Sequence, residues 1–206
     1  MKPQIKPIST NIEKQNTYRV MKGRLSVAIR EKFYFEAMLI EYALIEDRLR
    51  SFLLYMGVMK DRTSTKVYKA VSDDILAIMN DYKKPKDNAY LNISNISNKI
   101  EIIRCTAKWS AYAVHTDDTP YLAALNKNYQ NIDIQALLDL LAELEGWKKY
   151  RNEVIHGLMN KNLDSLDENL LTKVLEGQVI AEQLNTQVKS FKKGNYSRRF
   201  LKLKDC

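Results

Sequence analysis

The sequence predicts an all-α fold, on three observations. Only six glycines and four prolines punctuate 206 residues, which favours long helices over many short strands. Two stretches, 30–57 and 132–158, step their apolar residues by alternating threes and fours, the period of one helical face. A hydrophobic content of 45% supplies a sizeable core for one domain. The expected organisation is a polar N-terminal arm over 1–20, a helical body over 21–192 and a basic C-terminal tail over 193–206.

In chain order, residues 1–16 are the polar part of the arm. Over 17–29 the apolar residues Tyr18, Val20, Leu25, Val27 and Ile29 alternate weakly around Gly23. This leaves a short hairpin or a turn leading into a helix, and the strongly helical stretch that follows favours the turn. In that stretch Met38, Tyr42, Ile45, Leu49, Phe52 and Met56 form one line, with Gly57 as the stop. The stripe reads as core, with a dimer seam as the other use of such a face. A shorter helix is expected over 66–81. A polar break follows, carrying Pro85, Asn88, Asn92 and Asn95. Helix resumes over 96–114. After the break "HTDDTPY", Asp118 or Thr119 ahead of Pro120 caps a short helix to 128.

The second strong helix, 132–158, aligns Leu137, Leu140, Leu144, Trp147, Arg151, Val154 and Leu158. The last one opens on a capping-box pattern, Ser165 with Glu168. It continues through Leu170, Val174, Gly177, Ala181, Leu184, Val188 and Phe191, and its small residues Gly177 and Ala181 leave room for a neighbouring backbone. Both could also pack a dimer.

The formal charge of +8 and pI near 9.3 favour polyanionic partners. The tail concentrates this charge: seven Lys or Arg fall between 189 and 204, with Phe191, Tyr196 and Phe200 interleaved. Such a segment is either an RNA-contacting arm or a solvated basic terminus. Two cysteines and two histidines argue against a disulfide framework and against a zinc cluster. His115 with Asp117 and Asp118 lies in a loop and lacks further ligands. No phosphate-binding glycine loop occurs, so neither a cofactor nor a metal is expected. The N-terminus lacks an apolar signal core, and no apolar run approaches the roughly 20 residues of a membrane span, so a cytoplasmic location without membrane contact is expected.

The stretch "WKKYRNEVIHG" raises the functional question. Arg151 occupies the apolar line, where an always-charged guanidinium is costly unless something pairs with it. Either it snorkels to water or bonds a buried carboxylate, for which Glu46 is a candidate, or it lines a cleft and grips a phosphate with its fork of donors. His156, next to the helix stop Gly157, suits the helix dipole in the first case and proton transfer in the second.

The residues "RNEVIH" resemble the R-x4-to-6-H motif of HEPN domains (higher eukaryotes and prokaryotes nucleotide-binding), including the polar Asn152 after the arginine. The resemblance extends in general pattern over 30–192: a helical body of this size, with the motif at the end of a long amphipathic helix. It implies a helical bundle of the HEPN type and a metal-independent RNA endonuclease, of the kind found as toxins or in antiphage defence. RNA is then the substrate, an antitoxin or defence-complex component a possible partner, and a homodimer the working form. The catalytic set carried over is Arg151 on the phosphate, His156 moving the proton and Asn152 orienting the histidine. Lys148, Lys149, Lys161, Arg198 and Arg199 are the cations expected to meet RNA. The alternatives are a HEPN-like module that binds RNA or a nucleotide without cutting, and a helical structural subunit. On a regular helix residues five apart point about 140° away from each other, so convergence of Arg151 and His156 calls for a bend, an ending or a second subunit.

Overall fold

The computed structural model describes residues 11–59, 65–82, 91–116, 118–157 and 163–202. Among them it shows eight helices and no strand, the all-α bundle expected. The helices are α1 (Asn11–Arg30), α2 (Tyr34–Met56), α3 (Thr65–Tyr82), α4 (Ile96–Tyr112), α5 (Pro120–Tyr129), α6 (Ile134–Gly157), α7 (Leu163–Phe191) and α8 (Tyr196–Phe200).

Helix α2 is the hub. It packs most extensively against α7, and also against α1, α4 and α8; α6 lies on α7 and α4. The line from Met38 to Met56 explains this. Met38, Ile45, Leu49, Phe52 and Met56 are all buried within the one chain. The stripe is therefore core and not a dimer seam. Gly57 ends α2 in the left-handed region at φ 90°, and its N–H reaches the freed carbonyl of Leu54. At the far end of α2, Phe52 meets Phe191 of α7 (centroids 4.2 Å apart), which in turn meets Tyr129 of α5 edge-on at 4.9 Å. Of the two caps weighed for α5, Thr119 is the one used, accepting from the Leu122 N–H, and Asn95 of the polar break caps α4 by accepting from the Asn98 N–H. Pro85, Asn88, Asp117, Leu158 and Lys161 lie outside the described residues, as do the Ser165 and Glu168 side chains.

Two boundaries differ from expectation. The arm drawn over 1–20 does not hold from Asn11 onward, because α1 already begins there and runs through the stretch read as a turn or hairpin. The helix buries Leu25 and Ala28 in the core, and polar contacts that an apolar pattern does not register add to its attachment. Tyr18 donates to Asp47 (2.6 Å), Arg48 donates to both Tyr18 and Asp47, and Lys14 pairs with Asp47 at 3.0 Å. Burial pushes the Asp47 carboxyl up, but the bonds from Tyr18, Lys14 and Arg48 outweigh it and hold the group below its usual range. The tail drawn over 193–206 is likewise not free up to residue 202. Ser197 is fully buried in α8, and Arg198 is 1% exposed.

Gly177 admits side chains, where the spacing suggested a backbone. A Cβ on it would lie 2.5 Å from Glu41 Oε2 and 2.8 Å from the Trp147 indole. Glu41 is itself fully buried on α2. Gly177→Ala should therefore destabilise the protein by about 2 kcal/mol, since the overpacked carboxyl and indole have no open space to move into. A urea melt checks this, and an unchanged midpoint would mean that α7 can shift away.

Candidate functional site

The site grows from the last third of α6. The helix needs its apolar line for the core, so Trp147 and Val154 go inside, and Trp147 Nε1 donates to the Lys173 carbonyl of α7 at 2.7 Å. Arg151 lies between them on that line and ends up half-buried against α2. Its guanidinium carbon sits 4.2 Å from the centre of the Tyr42 ring, a stacked cation–π contact. Nη1 donates to Asn152 Oδ1 at 3.1 Å, while Nε is buried without a hydrogen-bond partner.

No described carboxylate pairs with Arg151. Glu46, its candidate partner, is one turn beyond Tyr42 but accepts from Lys99 at 2.9 Å. Lys99, on α4, is almost entirely buried and needs that carboxylate more. Tyr42 takes up part of the imbalance. Burial raises its phenol pKa, Glu46 adds to the rise, and the Arg151 charge opposes it.

His156 is exposed and faces elsewhere. With Glu145, Lys148, Lys149, Asn152 and Glu153 it lines a shallow open depression of about 470 Å³ along one side of α6. Arg104 of α4 engages Glu145 at 2.7 Å, and Lys148 donates to Ser97 Oγ at 2.7 Å. Arg151 is not part of that lining. The two motif residues thus do not converge within one chain, as the 140° offset requires. Asn152 is the link between them: its oxygen holds Arg151, and its side chain shares the depression with His156.

The cations named from the sequence separate. Lys149 is exposed and Lys148 partly so, both beside His156. Arg199 is exposed on α8. Arg198 is not available to a phosphate: it is buried, with Nη1 donating to the Leu54 carbonyl at 3.3 Å. The RNA-contacting role expected for it is corrected to a structural one. The remaining histidine, His115, is bonded to Asp118 at 2.9 Å and to the Ser110 carbonyl at 3.2 Å, and closes the α4–α5 loop.

Sequence reasoning missed Tyr42 as the seat of Arg151. The one side chain with a polar end on an otherwise apolar stripe was the available signal, since a ring with one polar edge suits a half-buried cation. Compared with family models, curated proteins and solved structures, the chain matches none.

Proposed function

We propose that this chain is a metal-independent RNA endonuclease of the HEPN type, acting in the cytoplasm as a toxin or antiphage effector and working as a pair of copies. One observation carries the reading: Arg151 is half-buried, steadied by Tyr42 and Asn152, and has no carboxylate as counter-ion among the described residues. A phosphate arriving from outside would supply the missing charge and could take two parallel bonds from the guanidinium.

In the proposed reaction the ribose 2′-oxygen forms a bond to the adjacent phosphorus, and the bond to the 5′-oxygen breaks. A cyclic phosphate and a free 5′-hydroxyl result. Arg151 stabilises the charge that gathers on the phosphoryl oxygens, and His156 takes or gives the proton. Lys148 and Lys149 draw the strand onto the same side of α6. Because Arg151 and His156 face apart, a second copy brings the complementary residue. The surfaces first considered for that pairing, Met38 to Met56 and Gly177 with Ala181, are used up in the core. The apolar line left outside on the neighbouring helix is Leu171, Leu175 and Val179 of α7. An antitoxin or defence-complex partner would act by covering this region.

The test is incubation of purified protein with labelled RNA in EDTA, with the product ends identified. Cleavage that survives chelation and leaves cyclic-phosphate ends supports the reading; cleavage that needs a divalent ion overturns it. Inorganic phosphate should also raise the melting temperature of the wild type more than that of Arg151→Ala, because a ligand that binds only the folded state stabilises it. The separation of Arg151 from His156 favours a second reading, a module that binds RNA or a nucleotide without cutting. Phosphate stabilisation with no cleavage in any buffer would select it.

A further inference from the structure

The short helix α8 reverses the usual order of burial. One of its two arginines, Arg198, is inside at 1% exposure, while its two rings, Tyr196 and Phe200, are outside at 40% and 48%. Ordinary packing does the opposite, burying rings and leaving guanidinium groups in water. The inversion is held firmly. Arg198 donates to the Leu54 carbonyl of α2. Asn128 of α5 accepts from both the backbone N–H and the hydroxyl of Ser197, and donates to the Phe191 carbonyl at 2.8 Å. Asn131 donates to the Lys193 carbonyl at 3.0 Å. The approach bends through Gly194 at φ 76°, where a Cβ would run into the Tyr196 ring, so that ring is seated against the turn.

Lys192, Lys193, Arg199 and Lys202, all exposed, neighbour the two rings in sequence, and the Lys192 ammonium lies 5.2 Å from the centre of the Tyr55 ring. None of these cations forms an ion pair with a described residue. A merely solvated basic terminus would not be clamped by three side chains, nor would it present rings in a fixed attitude.

We propose that α8 and the turn before it form a rigid platform for single-stranded RNA. Tyr196 and Phe200 stack on unpaired bases, and Lys192, Lys193, Arg199 and Lys202 lie along the phosphates. The chemistry selects this partner. Exposed rings next to cations that form no ion pair with a described carboxylate match a strand whose bases are free to stack, whereas a duplex hides its base faces. A membrane surface is a poorer match, because lipid-binding helices bury a long apolar face and α8 offers two rings on five residues. The platform sits at the C-terminal end of α2, near Leu54. Arg151 sits at Tyr42, twelve residues back, or roughly 18 Å along the helix. The platform stands independently of whether Arg151 and His156 cut.

Fluorescence anisotropy of a labelled single-stranded oligouridylate tests it, in an Arg151→Ala/His156→Ala background so that binding is read without cleavage. Tyr196→Ala with Phe200→Ala should weaken binding about tenfold or more, while Tyr196→Phe and Phe200→Tyr keep wild-type affinity. Lys192→Gln with Lys193→Gln should flatten the log–log salt dependence by about 1.4. Phe200→Ala alone, checked by circular dichroism melting, guards against a folding defect, because its ring packs little in the folded chain. Equal affinity with and without the two rings overturns the proposal. So does a loss that the substituted rings fail to restore, or tighter binding to phosphatidylserine vesicles or duplex RNA than to the single strand.

Discussion

Arg151→Lys should cleave RNA no better than Arg151→Ala on the proposed reading, both at least about a thousandfold below wild type in single-turnover experiments. The substitution keeps the charge, so the comparison isolates geometry. The flat guanidinium lies over Tyr42 at 4.2 Å and donates edgewise to Asn152 at 3.1 Å. An ammonium on a flexible stem has neither the plane to stack nor the fork to take two phosphate oxygens at once. Tyr42→Phe should stay close to wild type, because the ring is what Arg151 rests on, and Tyr42→Leu should fall well below it. A lysine variant that cuts at wild-type rate would show that a point charge suffices and that the stacked geometry is incidental.

Glu41→Met should make the protein more stable, and increasingly so toward alkaline pH. Glu41 is fully buried, neither of its oxygens has a hydrogen-bond partner, and burial raises its pKa from 4.5 to about 9. The folded chain therefore keeps a proton that the unfolded chain has already released. Below pH 4.5 both states are protonated and the group contributes no slope. Between 4.5 and about 9 folding must hold the proton, so stability falls with rising pH by about 1.4 kcal/mol per unit. At pH 7 that amounts to about 3 kcal/mol. Methionine fills a similar volume and carries no proton, so the gain should reach about 3 kcal/mol near neutrality and shrink at pH 5. Urea melts of both proteins at pH 5 and 8 decide it. Parallel curves would mean that Glu41 has a partner in solution.

Much of this fold was legible from spacing, because α2 and α6 bury one continuous stripe each and their stops follow local rules. Helix α1 was not, since polar contacts at Tyr18 and Arg48 join the buried Leu25 and Ala28 in attaching it, and its outer face carries Val20 and Val27. Those exposed valines imitate strand alternation. Arg198 was misread for a related reason. In sequence it equals Arg199 beside it, and what separates them is a carbonyl 144 residues earlier. At the site, the motif and the outward turn of His156 could be inferred from helix geometry. The diversion of Glu46 to Lys99 could not, because it depends on how deeply α4 buries that lysine.

The pairing of α2 with α7 also sets a timetable. During synthesis α2 emerges before α7, yet the surface that covers Glu41 and anchors Trp147 belongs to Gly177 and Lys173 of α7. Contacts so distant in sequence form only after the chain between them has been made. Arg151 is translated before the helix that fixes Trp147, one turn before it. Whatever chemistry Arg151 serves, a nascent chain still lacking α7 would hold it in an unfinished seat, so activity would begin only once α7 is in place.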